Sequence, residues 1–221
     1  MDLSAKISIV VLVHNALRYC RTCLNSLRST AGIPYEVVVV DNASRLPTRL
    51  YLVSSFLKKK IHRLCLLDRN TYFAEGNNVG AALGAKDTSH VLLMNSDVQI
   101  RDPQWLRKLV DVHRPGATAY GYLPGEPWPR ADGYCLLIDR PIFERYRLDE
   151  GFQWWWCVTK LQAQLLRDGL SVQAVRHHDD VVYHFGARSG PQPKRAQGMD
   201  LDPGAVREWF AGRSIRVIER L

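Results

Sequence analysis

Short runs of β-branched and other apolar residues alternate with segments of helical spacing through the first half of the chain. The apolar runs are rich in Val and Ile and too short for helices, which favours strands. Strands that alternate with helices in this way form a parallel, doubly wound sheet. The pattern therefore predicts a single α/β domain with a Rossmann-like, mostly parallel sheet flanked by helices. The predicted strands cover 7–13, 35–44, 62–68 and 90–95, and the predicted helices between them cover 16–29, 47–60 and 73–86.

Three of these strands end on polar residues. The polar ends are His14-Asn15, Asp41-Asn42 and Asn95-Ser96-Asp97. Ligands of parallel sheets bind beyond the carboxyl ends of the strands. A single Asp or Asn at such a place can simply cap a turn. Three polar ends together predict a ligand site at one rim of the sheet, with Asp97 at its edge.

The charge balance indicates an anionic partner. The 221-residue chain has a formal net charge of +8, which suits a phosphorylated ligand, a nucleic acid or an acidic membrane surface. The first strand is not followed by GxGxxG and the chain contains no GxxxxGK[ST], which argues against a dinucleotide Rossmann site and a P-loop. A divalent cation held by oxygen ligands such as Asp97 could instead neutralise a diphosphate.

The N-terminal residues and the cysteines favour a cytoplasmic protein. Residues 1–6 lack the pattern of a signal peptide, and no apolar run approaches the roughly 20 residues of a membrane span. Cys20 and Cys23 share an apolar helical face, so we interpret them as buried thiols rather than as a redox or zinc pair. Peripheral contact with the inner face of the membrane stays open.

Four motifs occur in an order and at a spacing that point to a family. These motifs are ISIVVLVHN, YEVVVVDNAS, RNTYFAEGNNVGAALGAK and VLLMNSDVQI. The chain resembles family 2 glycosyltransferases of the GT-A fold, especially the rhamnosyltransferase-like bacterial branch, over residues 7–190. The resemblance implies metal-dependent transfer of a sugar from a nucleotide-sugar donor to an acceptor hydroxyl, with Mn²⁺ or Mg²⁺ as the metal.

The resemblance also implies an organisation of the chain. Residues 1–100 would form the nucleotide-sugar-binding half of one domain, and residues 101–190 would form its acceptor-binding half. Residues 191–221 would form a linker followed by a short helix or tail, which could dock on the domain itself or on a membrane surface. The oligomeric state is left open.

Individual residues match positions with known roles in the family. Asn95-Ser96-Asp97 resembles the DXD element, whose last Asp binds the metal, and His184 matches a histidine that completes the metal site. Ser189 matches a later serine of the family, whereas Tyr72 departs from the pattern because the family usually has glycine there. The implied nucleotide-sugar-binding residues are Val13, Asn15, Asp41, Ser44, Asn70, Asn78, Asn95, Ser96 and Asp132.

The catalytic base of the family is missing from its usual place. In the family, an Asp of a Glu-Asp pair deprotonates the acceptor, and that pair falls on Cys157-Val158 here. Valine cannot accept a proton, so our hypothesis is that Asp149 or Glu150 takes over as the base. The alternatives are Asp179 or Asp180, or a protein that binds nucleotide-sugars without catalysis.

The acceptor is the least defined partner. The family resemblance favours a saccharide or a lipid-linked glycan, and a nucleic acid with a modified base is the second choice because of the positive charge. Residues 154–156 are three consecutive tryptophans, which could either pack in the core or stack on the acceptor. Gly76, Gly80 and Gly84 lie four residues apart, which predicts close packing of their helix on the sheet.

Overall fold

An eight-stranded sheet forms the centre of the computed structural model, which describes residues 6–186, 188 and 196–221. The strand order is β12-β10-β6-β9-β4-β1-β2-β3, and β9 alone runs antiparallel to its neighbours. The main-sheet strands are β1 (Ile7–Val13), β2 (Tyr35–Asp41), β3 (Arg63–Leu66), β4 (His90–Asn95), β6 (Gly116–Tyr120), β9 (Cys135–Asp139), β10 (Ser171–Val175) and β12 (Arg216–Ile218).

Helices cover both faces of this sheet. The helices are α1 (Leu17–Leu27), α2 (Leu46–Leu57), α3 (Tyr72–Leu83), α4 (Trp105–Val112), α5 (Arg140–Tyr146), α6 (Trp156–Arg167) and α7 (Pro203–Phe210). Alternate residues of β1 enter different cores: Ile9 and Val11 pack with α1 and α4, whereas Val10 packs with α3 and α6. Burial on both faces explains why the central strands read as continuous apolar runs. The predicted α/β class and mostly parallel sheet are therefore confirmed.

The glycines of α3 allow this helix to lie directly on the sheet. A Cβ added at Gly76 would lie 2.5 Å from Leu12 Cδ1, and one added at Gly80 would collide with Val10 Cγ1. At Gly84, a Cβ would lie 2.7 Å from Ser8 Oγ. The predicted cause of the glycine spacing, close packing of helix on sheet, is confirmed.

Four short strands lie outside the main sheet. They are β5 (Val98–Ile100), β7 (Tyr122–Leu123), β8 (Arg130–Ala131) and β11 (Val182–His184). β5 and β11 pair antiparallel, with His184 opposite Val98. This pairing brings a segment from the second half of the chain to the carboxyl end of β4.

The C-terminal residues complete the domain. Val206 and Phe210 of α7 are fully buried beside Ala163 of α6, so α7 docks on the domain, one of the two outcomes expected for this helix. β12 then extends the main sheet beside β10, rather than forming a free tail. Residues 191–195 of the predicted linker lie outside the described residues. Within the described part of the chain, no helix has the length and apolarity needed to cross a bilayer.

Candidate functional site

A cleft of about 960 Å³ opens at the carboxyl ends of β1, β2 and β4. One wall comes from the turns that follow β1 and β2 and from the start of α3. The opposite wall comes from β8, the turn before β9 and the start of α6. The residues Asn95, Ser96 and Asp97 form the floor between the two walls. The predicted ligand rim therefore corresponds to a real cleft, which lies between the two halves of the chain.

Asp97 and His184 meet at this floor. The Nε2 atom of His184 lies 3.1 Å from Oδ1 of Asp97, and the backbone N–H of Arg188 donates to Oδ2 at 3.1 Å. Burial by itself raises the pKa of Asp97, but the hydrogen bonds from His184 and the Arg188 amide outweigh it, so this pKa lies below its usual range. Asp97 is therefore an anion at neutral pH.

The floor has the donor atoms that a divalent cation requires. Ionised carboxylates and imidazole nitrogens both coordinate divalent cations such as Mn²⁺. The Ser96 Oγ atom beside them is buried without a hydrogen-bond partner in the described structure, and a buried polar atom of this kind needs a partner from a ligand, ion or water. The residues present thus fit a cation with attached oxygen ligands.

The first wall is a hydrogen-bonded set of turns. Asn15 Oδ1 accepts from the Arg45 amide at 2.8 Å, and the Asn15 amide donates to Ser44 Oγ at 2.7 Å. The His14 ring lies between Asn42 O, 2.7 Å from Nδ1, and the Asn15 side chain, 3.0 Å from Nε2. These bonds lock the turn after β1 to the turn after β2, which fixes the shape of this wall.

Tyr72 enters the cleft with a strained backbone. Its φ is 58°, a left-handed value that is unusual for a bulky residue. Its amide donates to Asn70 Oδ1 at 2.9 Å, and its carbonyl accepts from Asn42 Nδ2 at 2.9 Å. The neighbouring structure therefore holds a conformation that glycine adopts freely, at the position where the family usually has glycine. Strain that is retained in this way is typical of functional sites.

The second wall carries a carboxylate and aromatic rings. Asp132 and Tyr134 line the cleft, and the Tyr134 ring stacks on His184 with centroids 4.2 Å apart. Trp154 and Trp155 also line it, and Trp155 is 43% exposed. The Trp155 ring stands at the cleft, whereas Trp156 packs beside α7. The tryptophan cluster thus serves both packing and the cleft.

Asp132 is the carboxyl group that this wall presents to the cleft. Burial raises its pKa above the usual range, although His184 and Arg130 act in the opposite direction. A carboxylate with a raised pKa that faces a cleft can accept a proton more readily than an ordinary surface Asp.

Cys157 and Val158, the positions that the resemblance assigns to the missing acid pair, differ in their environment. Cys157 is fully buried in the core between α6 and the sheet, whereas Val158 lines the cleft and lies beside Gly133. The position that the family resemblance assigns to the base therefore faces the cleft, with an apolar side chain.

The predicted site residues divide into two groups. Those that line the cleft are Asn15, Asn70, Asn95, Ser96, Asp97, Asp132 and His184, and those outside the described lining are Val13, Asp41, Ser44, Asn78, Asp149 and Glu150. Ser189 lies outside the described residues.

Asp41 and Val13 are buried beside the cleft and do not line it. Asp41 is fully buried, its Oδ1 accepts from the Ser44 amide at 3.2 Å, and its Oδ2 lies 3.5 Å from Nε of Arg49. The Val13 side chain is buried in the core, and its carbonyl accepts from the Asn42 amide at 2.7 Å. Asn42 lines the cleft, whereas Asp41 does not.

Asn78 holds the segment that precedes α6. Its Nδ2 donates to Leu148 O and to Glu150 Oε1, each at 2.9 Å, and its Oδ1 accepts from the Leu148 amide at 3.0 Å. Asp149 pairs with Lys160 and accepts from the Gly151 amide at 2.9 Å. The structure places both carboxylates in a turn that they stabilise, so it does not support the hypothesis that Asp149 or Glu150 is the base.

The cleft is completed by residues outside the predicted site list. They are Leu12, Ala16, Arg45, Phe73, Leu123, Arg130, Ala131, Gly133, Tyr134, Thr159 and Arg188. Asn42, which belongs to one of the polar strand ends, also lines the cleft. Arg130 and Arg188 had no local signal, since their placement depends on the pairing of distant segments.

The comparison with family models decides the assignment. The model described as glycosyl transferase family 2 matches residues 8–126. The chain belongs to glycosyl transferase family 2. The match covers both polar turns of the first wall and the floor with Asp97. The predicted family and the GT-A type of fold are thereby confirmed.

One curated protein and two solved structures are also similar to the chain. The chain is 29% identical over 118 residues to the O-antigen biosynthesis protein RfbC of Myxococcus xanthus, which is 52% of this chain and 9% of that protein. The fold is similar to that of a mannosyltransferase from Pyrobaculum calidifontis, solved with GDP-Man and Mn²⁺ (TM-score 0.62, 18% identity, 82% of this chain and 57% of that chain). It is also similar to S. aureus TarS 1-349 in complex with UDP (TM-score 0.56, 18% identity, 72% and 55%). This chain thus spans little more than half of these solved chains.

Proposed function

We propose that this protein transfers a sugar from a nucleotide-sugar donor to an acceptor hydroxyl, with a divalent cation bound by Asp97 and His184. The observation that carries the proposal is the 3.1 Å contact between these two residues at the floor of the cleft. The cleft volume of about 960 Å³ suits a ligand of nucleotide-sugar size. Among solved structures of similar fold, the mannosyltransferase was solved with GDP-Man and Mn²⁺.

The two walls suggest how the donor is oriented. The hydrogen-bonded turns around Asn15, Asn42 and Asn70 form a preorganised polar surface for a base and ribose, and Tyr72 lines the cleft beside them. Arg188 and Arg45 also line the cleft, and guanidinium groups suit phosphate oxygens. A bound cation would neutralise charge that develops on the leaving nucleoside diphosphate.

We further propose that Asp132 is the base that replaces the missing family acid. It lies on the wall opposite the nucleoside side, next to Gly133, which contacts Val158. In this step the acceptor oxygen bonds to the anomeric carbon, its proton passes to an Asp132 carboxylate oxygen, and the bond from that carbon to the diphosphate breaks. The partial burial of Asp132 raises its pKa, which favours uptake of the proton.

A lipid-linked glycan is the acceptor that we favour. Leu46, Leu50 and Leu57 lie along one side of α2 and are 66%, 59% and 74% exposed. Lys58, Lys59 and Lys60 follow directly, and a helix with exposed leucines and terminal lysines suits an anionic lipid surface. Arg45, which precedes α2, lines the cleft, so docking through α2 would bring the cleft towards the lipid headgroups.

The acceptor proposal is tested by sedimentation with lipid vesicles. We expect the protein to bind vesicles that contain anionic lipid and not neutral vesicles, and we expect the Leu50→Ser/Leu57→Ser variant to lose this binding. The matched control is Leu66→Ser, an exposed leucine of β3 that does not belong to the α2 face. A nucleic acid acceptor, which the charge of +8 and the exposed Trp155 also suit, would instead give salt-dependent retention on DNA.

A binding protein without transferase activity is the second candidate function. The observation in its favour is Val158, which occupies the family base position in the cleft. The deciding experiment incubates the protein with a panel of nucleotide-sugars, Mn²⁺ and lipid-linked acceptors. Metal-dependent appearance of glycosylated acceptor supports the transferase. Donor binding by calorimetry without any turnover or donor hydrolysis supports the binding protein.

A further inference from the structure

His90, His113 and Asp139 form a cluster far from the cleft. His90 begins β4, whose other end carries Asn95 at the cleft floor, so about 16 Å of strand separates the two places. Asp139 ends β9 directly opposite His90, and His113 follows α4. The cluster therefore joins three separate elements, and it lies at the end of the strands opposite to the cleft.

The three side chains direct nitrogen and oxygen atoms towards one another. The His113 Nε2 atom lies 3.1 Å from Asp139 Oδ2, and the His90 Nε2 atom lies 3.7 Å from Asp139 Oδ1. One such atom from each residue lies within 4.8 Å of the others. Ligands of a tetrahedral zinc ion with bonds of about 2.1 Å stand about 3.4 Å apart, so small side-chain rotations are enough to bind a cation.

The remaining polar atoms of the cluster already have partners. The Ser89 hydroxyl lies 2.7 Å from Nδ1 of His90 and 3.3 Å from Lys6 O. This partner orients the His90 ring, so that Nε2 is directed towards the Asp139 carboxylate.

His113 and Asp139 are supported in the same way. The His113 Nδ1 atom lies 2.9 Å from Thr118 Oγ1, and the Gly116 amide donates to Asp139 Oδ2 at 2.7 Å. Partners of this kind on the atoms that do not bind the metal orient histidine and carboxylate ligands in known metal sites.

We propose that His90, His113 and Asp139 form a second divalent-metal site, suited to Zn²⁺ and separate from the cleft. Two imidazoles and one carboxylate are a ligand set that zinc accepts. The His90 and Asp139 side chains are 13% and 25% exposed, so water can reach a fourth position. The ion would tie β4, β9 and the end of α4 together and stabilise the fold by mass action.

The proposal is tested by titration of Zn²⁺ into metal-free protein, without nucleotide. The Asp97→Asn background is used, because it removes the carboxylate of the cleft floor. We expect this protein to bind one equivalent of Zn²⁺ and to gain thermal stability. Adding His90→Gln should weaken that binding at least ten-fold and abolish the gain. The matched control is His62→Gln, whose ring is remote from the cluster and accepts from the Val37 amide.

The outcomes separate a metal site from a simple hydrogen-bonded cluster. His90 is chosen because it is partly exposed, and equal melting temperatures in EDTA verify that the variants fold. X-ray absorption of the zinc-loaded protein should show nitrogen and oxygen ligands, including two imidazoles. Absence of stoichiometric binding, or binding unchanged by His90→Gln, overturns the proposal. None of these readouts depends on transfer activity, so the result is independent of the function proposed for the cleft.

Discussion

Asp97 and His184 are 87 positions apart in the chain, yet the His184 Nε2 atom lies 3.1 Å from the Asp97 Oδ1 atom. Their meeting depends on the pairing of β5 with β11, in which His184 stands opposite Val98. The pair is therefore a product of tertiary structure, and it joins the floor of the cleft to the second half of the domain. This relationship makes the two residues the first place to test the proposed cation.

Asp97→Asn should abolish metal-dependent donor binding. The substitution keeps the shape of the side chain and removes the charge that a divalent cation requires. We expect calorimetry with nucleoside diphosphate and Mn²⁺ to show at least a ten-fold loss of affinity, and the dependence on Mn²⁺ to disappear. Asp111→Asn is the matched control, because Asp111 is an exposed carboxylate on α4. Unchanged affinity and metal dependence in Asp97→Asn would remove the metal from the proposed mechanism.

Asp132→Asn should lower turnover while donor binding survives. Loss of a general base reduces the rate by about two to four orders of magnitude. In the wild type, the rate should fall as the pH drops through the raised pKa of Asp132, since the base must be ionised. Glu126→Gln is the control, because Glu126 is an exposed carboxylate paired with Arg207. A variant that turns over at the wild-type rate would exclude Asp132 as the base.

Asp132→Asn should also change the dependence of stability on pH. Burial raises the folded-state pKa of Asp132, so its contribution to stability is fully present below the unfolded pKa and is lost as the pH rises through the folded value. Without metal or donor, the variant should therefore melt at a higher temperature than the wild type at neutral pH. The difference should shrink as the pH is lowered. A variant less stable than the wild type at neutral pH would contradict this reasoning.

The sequence was sufficient to predict the first half of the fold. Strand β1 was expected at 7–13 and β4 at 90–95, and both have these bounds, because β-branched runs between turn residues leave little choice. It did not predict that β9 inserts antiparallel between β4 and β6. The pattern within β9 is that of any buried strand, and its direction depends on how distant segments pair.

The residues of the candidate site that directly follow a single strand could be predicted from the sequence. Asn15 and Asn95–Asp97 follow directly from the strands, and they line the cleft. Asp149 shows the opposite case, because its nearness in sequence to the missing acid pair suggested a base. In the structure its charge is directed to Lys160, a contact between the turn before α6 and a residue of α6 that sequence spacing alone does not select.

Asp149→Asn should affect stability and leave turnover intact. The hydrogen bond from Lys160 lowers the pKa of Asp149, so its stabilising contribution is present above the unfolded pKa and is lost as the pH falls through the folded value. The pair is partly exposed, which limits its contribution to about 1 kcal/mol or less. Chemical unfolding at neutral and acidic pH measures this difference. A loss of turnover per folded molecule comparable to that of Asp132→Asn would restore Asp149 as a catalytic candidate.

Tyr72→Gly and Tyr72→Ala should separate backbone strain from the role of the ring. Both variants remove the ring from the cleft, but only glycine adopts a φ of 58° without strain. Tyr72→Gly should therefore be more stable than Tyr72→Ala, by about 1 kcal/mol. If the ring contacts the donor, both variants should bind it equally weakly. Wild-type donor affinity in both variants would show that the ring does not contact the donor.

Val158→Asp should return an acid to the family position. Val158 lines the cleft, and Asp is close to Val in size, so the carboxylate would face the place where the family base acts. In the Asp132→Asn background we expect turnover to recover at least ten-fold. Burial of the new carboxylate should lower stability by about 1–3 kcal/mol. The control Val158→Asn carries the same polarity without a base and should recover nothing. Equal rates for the Asp and Asn variants would show that the acceptor hydroxyl lies beyond the reach of this position, and that the loss of the family acid reflects a different acceptor geometry.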